Sequence, residues 1–205
     1  SDLSKGLGLR LFKDKRLGFA STADFTPEAL DRLIETTLGI AAFADPKDEN
    51  ALAETAPNHT FPDLNLYDPA IAALPTDTKI GMAIACERAS FEADPRITNS
   101  EGAAVSAQQS HFFSAHTRGF RGGYASSRHS LSVAPIAGKG DDMQRDYWYS
   151  SARDPRDLQD HRAIGRIAGE RAVARLGARR LPTGKAPVLF APEVARGVIG
   201  HFVAA

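Results

Sequence analysis

The densest chemistry in the sequence lies in one run, Met143-Gln144-Arg145-Asp146-Tyr147-Trp148-Tyr149-Ser150-Ser151-Ala152-Arg153. On an extended strand its alternation puts Tyr147 and Tyr149 on one face and Trp148 with Asp146 on the other. Burial explains one of those faces, and the second must meet another layer, a neighbouring domain or a bound peptide. Arg145, Tyr147, Trp148 and Tyr149 are therefore the candidate substrate- or partner-binding residues. Core packing with cross-strand aromatic pairing is the competing account of the same residues.

Other reactive residues do not assemble into a motif. His111 and His116 are five apart, so on a strand they point to opposite faces, and neither they nor His129 have an acid or cysteine at ligand spacing. No metal is expected there. The serines lie outside any G-x-S-x-G elbow or S-x-x-K pair. Gly119, Gly122 and Gly123 match neither a phosphate loop nor a dinucleotide fingerprint, and read as hairpin glycines. The only thiol, Cys86, reads as a small core residue within a helix; it excludes an intramolecular disulfide and any multi-cysteine metal site.

The elements that must position these residues follow from periodicity. Leu7, Leu9 and Leu11 alternate, and after Lys13-Asp14-Lys15-Arg16 the same face is expected to resume at Leu17 and Phe19, a β-hairpin. Thr26-Pro27-Glu28 combines an N-cap hydroxyl, a proline at the first helical position and an acid in the first turn. It opens a helix over 26–43 with Leu30, Leu33, Ile34, Leu38 and Ala41 on its stripe. Residues 45–76 lose all period among prolines, with a short helical turn expected at 69–74. A second helix, 77–93, carries Ile80, Ala83, Ile84 and Phe91 as its apolar stripe. From 97 to 152, strand-like runs (103–117, 120–137, 143–151) alternate with turn signals at Asn99-Ser100-Glu101-Gly102, Arg118-Gly119, Arg121-Gly122-Gly123 and Gly138-Lys139-Gly140-Asp141. Short turns between consecutive strands favour an antiparallel meander, whose serine-rich alternation leaves one face wet or partnered. A third helix spans 157–176, with Leu158, Ile164, Ile167, Ala168, Ala172 and Leu176 inward and Gly177 as its C-cap. Pro187-Val188-Leu189-Phe190 has the signature of a buried strand, and Pro192-Glu193 opens a last helix.

Composition sets the bounds. With 25 basic and 25 acidic residues in 205, bulk attraction to nucleic acid or an anionic membrane is not expected. A hydrophobic share of 42% supports a packed core and excludes disorder. No apolar run is long enough to span a bilayer. The opening Ser1-Asp2-Leu3 and the apolar close at Val203-Ala204-Ala205 suggest a piece of a longer protein. The fold class expected is α+β: one antiparallel sheet built from the hairpin and the meander, with three helices packed on it. The domain reading is 1–184 for an N-terminal domain and 185–205 for the truncated start of a second.

Three strings carry a family resemblance: Asp94-Pro95-Arg96-Ile97-Thr98-Asn99-Ser100-Glu101-Gly102, His129-Ser130-Leu131-Ser132-Val133, and the Met143–Arg153 run. They resemble the PmbA/TldE branch of the TldD/PmbA peptidase family, known by an older label as modulators of DNA gyrase. Leu7-Gly8-Leu9-Arg10, Gly18-Phe19-Ala20-Ser21-Thr22 and Leu176-Gly177-Ala178-Arg179 fit the same pattern. The resemblance implies a cytoplasmic protein that pairs with a TldD-like subunit, the latter holding zinc in an H-E-x-x-x-H helix. It further implies proteolysis of unfolded peptides, in peptide-antibiotic maturation and antitoxin degradation, by chains roughly twice this length.

One departure from the zinc subunit matters. His201 matches the first ligand position of its metal helix, and Phe202 stands where the general-base glutamate would be. A phenyl ring cannot take a proton from metal-bound water. The expectation is a non-catalytic subunit with no catalytic residue and no metal or cofactor of its own, with zinc in the TldD-like partner and a homodimer possible in isolation. The alternative is a regulatory protein acting on DNA gyrase, and a third reading is a hydrolase using serine or Cys86.

Overall fold

A computed structural model describes residues 2–52, 62–69 and 74–204. The chain forms two compact units, and neither is continuous in sequence. The first holds residues 1–74, 106–129 and 151–157; the second holds 75–105, 130–150 and 158–205. Secondary structure is mixed α and β with antiparallel pairing.

In the first unit, β1 (Leu7–Lys13) and β2 (Arg16–Thr22) form a two-stranded sheet separate from the strands that follow. The single sheet expected from the sequence is thus two. Asp14 and Lys15 turn the chain, both with positive φ (51° and 60°), the left-handed pair that a tight hairpin requires. This two-residue turn sets Lys13 opposite Arg16, and so Leu11 opposite Gly18 and Leu9 opposite Ala20. Leu17 and Phe19 therefore lie on the face opposite Leu7, Leu9 and Leu11, not on their continuation. Gly18 is the buried residue of β2 because α1 (Pro27–Phe43) lies against it: a Cβ there would stand 2.1 Å from the Thr37 carbonyl oxygen. Helix α1 starts as its sequence directs. The Thr26 hydroxyl accepts from Ala29 N, Pro27 follows, and Ala29, Leu33, Thr37 and Ala41 are buried. Thr37 satisfies its hydroxyl by donating to Leu33 O at 2.6 Å, the back-bond open to a threonine inside a helix.

Two long strands, β3 (Ile97–Ala115) and β4 (Arg121–Ala137), run through both units. The Asn99–Gly102 signal lies inside β3 and the Arg121–Gly123 signal inside β4, not between strands; Gly102 takes φ of 104° and its N–H donates to Ser100 Oγ. The glycine is absorbed as a local kink. The meander's third stretch is two short strands, β5 (Gln144–Arg145) and β6 (Trp148–Ala152), both paired with β4. Ser127 Oγ on β4 donates to Arg153 O and accepts from Asp68 N, which ties 62–69 and 151–157 to that strand. The helical turn expected at 69–74 lies largely outside the described residues.

The second unit packs α2 (Thr76–Glu92) against α3 (His161–Ala174), and Cys86, Leu131, Val133, Ile164 and Ala168 form one buried cluster. A second cluster joins Ile97, Ala137 and Ala172. Helix α2 corrects its sequence reading. Ile80 and Ile84 are more than half exposed, while Cys86 and Ser90 are the buried positions. The reason is steric: α3 presents Gly165 and Gly169, and a Cβ on either would meet backbone oxygen of α2 at 2.1 and 2.8 Å. Helices this close exclude isoleucine. Helix α3 begins at His161, its N-cap Asp160 accepting from Ala163 N, and α4 (Pro192–Ala204) opens at the proline as expected. Val188 and Leu189 are exposed and lie outside the strands, so the expected buried strand is not formed there.

Candidate functional site

The aromatic run folds so that its residues separate. Trp148, at the start of β6, turns into the second unit's core, packs against the Cys86–Leu131–Ile164 cluster and donates from Nε1 to Gln159 Oε1 at 3.0 Å. The Arg171 guanidinium lies over its ring, 5.0 Å from the centroid, a cation–π contact. Trp148 is thus an anchor rather than an open binding ring. Tyr147 and Tyr149 share the other face as the alternation requires, their rings 6.2 Å apart and nearly parallel, with Tyr147 exposed. Arg145 on β5 is paired with Glu101 on β3. Of the four candidates, then, the two tyrosines form one surface, the arginine is engaged by a carboxylate, and the tryptophan is half-buried against the core.

The sequence reading did not single out the charges that organise this region. Asp146, only 12% exposed at its side chain, accepts from Tyr147 N at 2.8 Å and faces Arg171 Nε at 3.6 Å and Arg175 Nη1 at 3.5 Å. Arg171 also reaches toward Glu193 in the first turn of α4, 3.8 Å away. Their signal was present, since Arg171 and Arg175 are four apart at the end of a helix and so share one face. Arg171 Nε and Glu193 Oε2 are buried without a hydrogen bond, so the network is only loosely closed.

A second feature belongs to the first unit. The segment Pro62–Tyr67 and the turn end of the β3–β4 hairpin enclose a groove of about 710 Å³, lined chiefly by Leu64, Tyr67, Phe112, Phe120 and Tyr124. It exists because β4 carries Gly122 and Gly123 there; a Cβ at Gly123 would stand 2.4 Å from Phe112 O. The groove has the size of a small-molecule or side-chain pocket but a nearly apolar wall. Its strap lies in the proline-rich stretch whose lack of period made it read only as a connection.

The one thiol is not prepared as a nucleophile. Cys86 is fully buried and its thiol is pushed up to about 11 by burial, so at neutral pH it is neither exposed nor ionised. Asp94 and Asp154 move the other way, each held at about 2 by hydrogen bonds from Arg96 and Arg156. These are exposed structural pairs. On α4, His201 is followed by the exposed ring of Phe202 and not by a carboxylate. Among the described residues no three His, Cys, Asp or Glu side chains converge as a metal group would need.

Comparison with known proteins decides the relationship. Residues 69–176 match the model of the PmbA/TldA metallopeptidase central domain, and residues 1–44 match that of PmbA/TldA metallopeptidase domain 1. The chain belongs to the PmbA/TldD metallopeptidase family. It is 38% identical to the metalloprotease PmbA of Escherichia coli O157:H7 over 97% of its own length and 44% of that protein. It is 34% identical to the PmbA homologue of Haemophilus influenzae with the same coverage. Among solved structures, a protein from Bacteroides thetaiotaomicron named as a modulator of DNA gyrase superposes with a TM-score of 0.77 at 29% identity, over 86% of this chain and 40% of that one. TldE from Thermococcus kodakarensis gives 0.61 at 20% identity, over 80% of this chain and 36% of that one, a likeness of fold. The chain therefore spans less than half the length of the PmbA relatives it matches. The PmbA/TldD fold it shares is α+β, as expected.

Proposed function

We propose that this chain is part of a non-catalytic, TldE/PmbA-like subunit that works beside a zinc-bearing TldD-like subunit in proteolysis of unfolded peptides. The observation that carries the reading is the pair His201–Phe202. In a zinc peptidase the ligand histidine is followed by a carboxylate that takes a proton from metal-bound water; here an apolar ring follows it, and no step through zinc is assigned to this chain. The buried, un-ionised Cys86 argues against a thiol mechanism as well. What the chain contributes is surface: the Tyr147–Tyr149 pair and an apolar groove, both of which suit broad contact with peptide or partner. Peptide-antibiotic maturation and antitoxin degradation are the processes in which such a pair would act, in the cytoplasm. Among the described residues no helix is long and apolar enough to cross a membrane.

The test uses the full-length protein, alone and mixed with its TldD-like companion, with an unstructured fluorogenic peptide as substrate. Cleavage only by the mixture, abolished by a chelator, is the expected result. Zinc-dependent cleavage by the subunit alone would overturn the assignment. The name of the Bacteroides relative supports a second reading, regulation of DNA gyrase, which predicts recovery of gyrase rather than the companion in a pull-down.

A further inference from the structure

Several arginines of this chain have a carboxylate in contact: Arg88 has Glu92, Arg96 has Asp94, Arg145 has Glu101 and Arg156 has Asp154. The stretch that leaves α3 is different. Between Glu170 and Glu193 the sequence has five basic residues and no acid. Two of them, Arg171 and Arg175, share the single carboxylate of Asp146. Gly177, with φ of 70°, then turns the chain out of the helix. Residues 178–191 have neither helix nor strand and are exposed throughout. On this strap Arg179, Arg180 and Lys185 have no ion-pair partner among the described residues. A chain that is neutral as a whole thus concentrates uncompensated positive charge in one exposed segment.

We propose that Arg179, Arg180 and Lys185 form a docking strap for acidic, unfolded peptide segments. The inference rests on the peptide-handling reading above and adds to it the charge of the peptide. Charge complementarity selects an anion, and the spread of the cations along an irregular strap calls for several carboxylates in a row rather than one. A nucleic acid would also supply negative charge, but two observations disfavour it. Sites for single strands combine cations with aromatic rings that stack the bases, and residues 171–189 contain no aromatic residue. The side chain the strap does offer beside its cations is Leu181, which is 77% exposed and suits the aliphatic side chains of a peptide. The remainder of the chain, moreover, is net acidic, since the whole is neutral, and repels a polyanion that extends beyond the strap. Pairs formed on so open a segment are screened by salt, so the contact is weak and reversible, as a subunit that handles many peptides requires.

Fluorescence anisotropy with the full-length protein tests the proposal. The probes are a labelled, unstructured peptide of alternating Glu and Ser, the same peptide with Gln in place of Glu, and an oligothymidylate of equal charge. The Glu peptide should bind about tenfold more tightly than the Gln peptide, the scale of several exposed ion pairs together. That advantage should shrink as salt is raised. Combining Arg179→Gln, Arg180→Gln and Lys185→Gln should remove most of it without a change in melting temperature, because all three residues are exposed. Combining Arg10→Gln and Lys13→Gln on β1, which removes exposed cations from the other unit, should leave it intact. Three results would each sink the idea: equal binding of the Glu and Gln peptides, a Glu preference that survives the triple substitution, or tighter binding of the oligothymidylate than of the Glu peptide. Charge-blind binding with cleavage by the mixed subunits intact would leave the proposed function standing. Loss of that cleavage with the Glu preference intact would leave the strap standing, so the two readings fail separately.

Discussion

A Cβ built on Gly165 would lie 2.1 Å from the carbonyl oxygen of Cys86, so α3 crosses α2 at a point where α3 has no room for a methyl group. That contact places Cys86, Ser90, Ala168 and Gly169 inside the second unit and leaves Ile80 and Ile84 outside it. Gly165→Ala should therefore destabilise the protein by about 3 kcal/mol, the scale of an overpacked core. The helix-propensity gain of about 1 kcal/mol is outweighed because the obstacle is backbone and cannot rotate away. Gly81→Ala, at an open position in α2, should instead stabilise slightly, and chemical denaturation of both variants compares the two effects.

Trp148 and Tyr147 are neighbours with opposite consequences. Trp148→Ala removes a ring from the core together with the Arg171 and Gln159 contacts, and a loss of about 3–5 kcal/mol is expected. Tyr147 is exposed. Its replacement by alanine should leave stability close to that of wild type, as surface substitutions generally do. Peptide or partner binding by the intact protein should respond to Tyr147→Ala without a change in melting temperature.

The pH dependence follows from two carboxylates. Asp94 and Asp154 are lowered from the ordinary 3.8 to about 2 by hydrogen bonds from Arg96 and Arg156. A depressed folded value means that the stabilisation is present above pH ~4 and is lost as pH falls toward ~2. Melting temperature should therefore be flat with respect to these groups from pH 5 to 7 and drop below 4. Both carboxylates are partly exposed and their arginine partners are open to solvent, so Asp94→Asn and Asp154→Asn should reduce that drop only modestly, and less at high salt.

Cys86 offers a direct readout of burial. With its thiol raised to about 11 and no exposed surface, labelling by a thiol reagent at pH 8 should be limited by opening of the second unit. Fast labelling in native conditions would show that the α2–α3 contact is not formed.

The β1–β2 turn is strained by its residue types, since Asp14 and Lys15 both adopt positive φ. Lys15→Gly should stabilise by about 0.5–1 kcal/mol, because glycine adopts that conformation freely and an exposed ion pair is worth little. The pair given up is Lys15–Asp48, both open to solvent. The hydrogen bonds that Lys47 N and Asn50 Nδ2 donate to the residue's carbonyl would remain.

The local elements and their family were legible in the amino-acid order itself. A capping threonine with a proline behind it starts α1 whatever surrounds it, and alternation with turn residues marks the β1–β2 hairpin, the meander and the aromatic strand. These signals are short-range, so they survive in a string. Tertiary contact decided what each element buries. The face of the β1–β2 hairpin depended on counting through a two-residue turn, and one residue of error exchanges the faces. Ile80 and Ile84 marked the apolar stripe of α2, yet the glycines of α3 selected its small residues instead, because close backbone approach rewards the absence of a side chain rather than its hydrophobicity. Of the aromatic site, composition could identify Tyr147, Trp148 and Tyr149, but only folding brought Arg171 over Trp148 and gave Asp146 its two arginines, since those partners arrive from a helix more than twenty residues away.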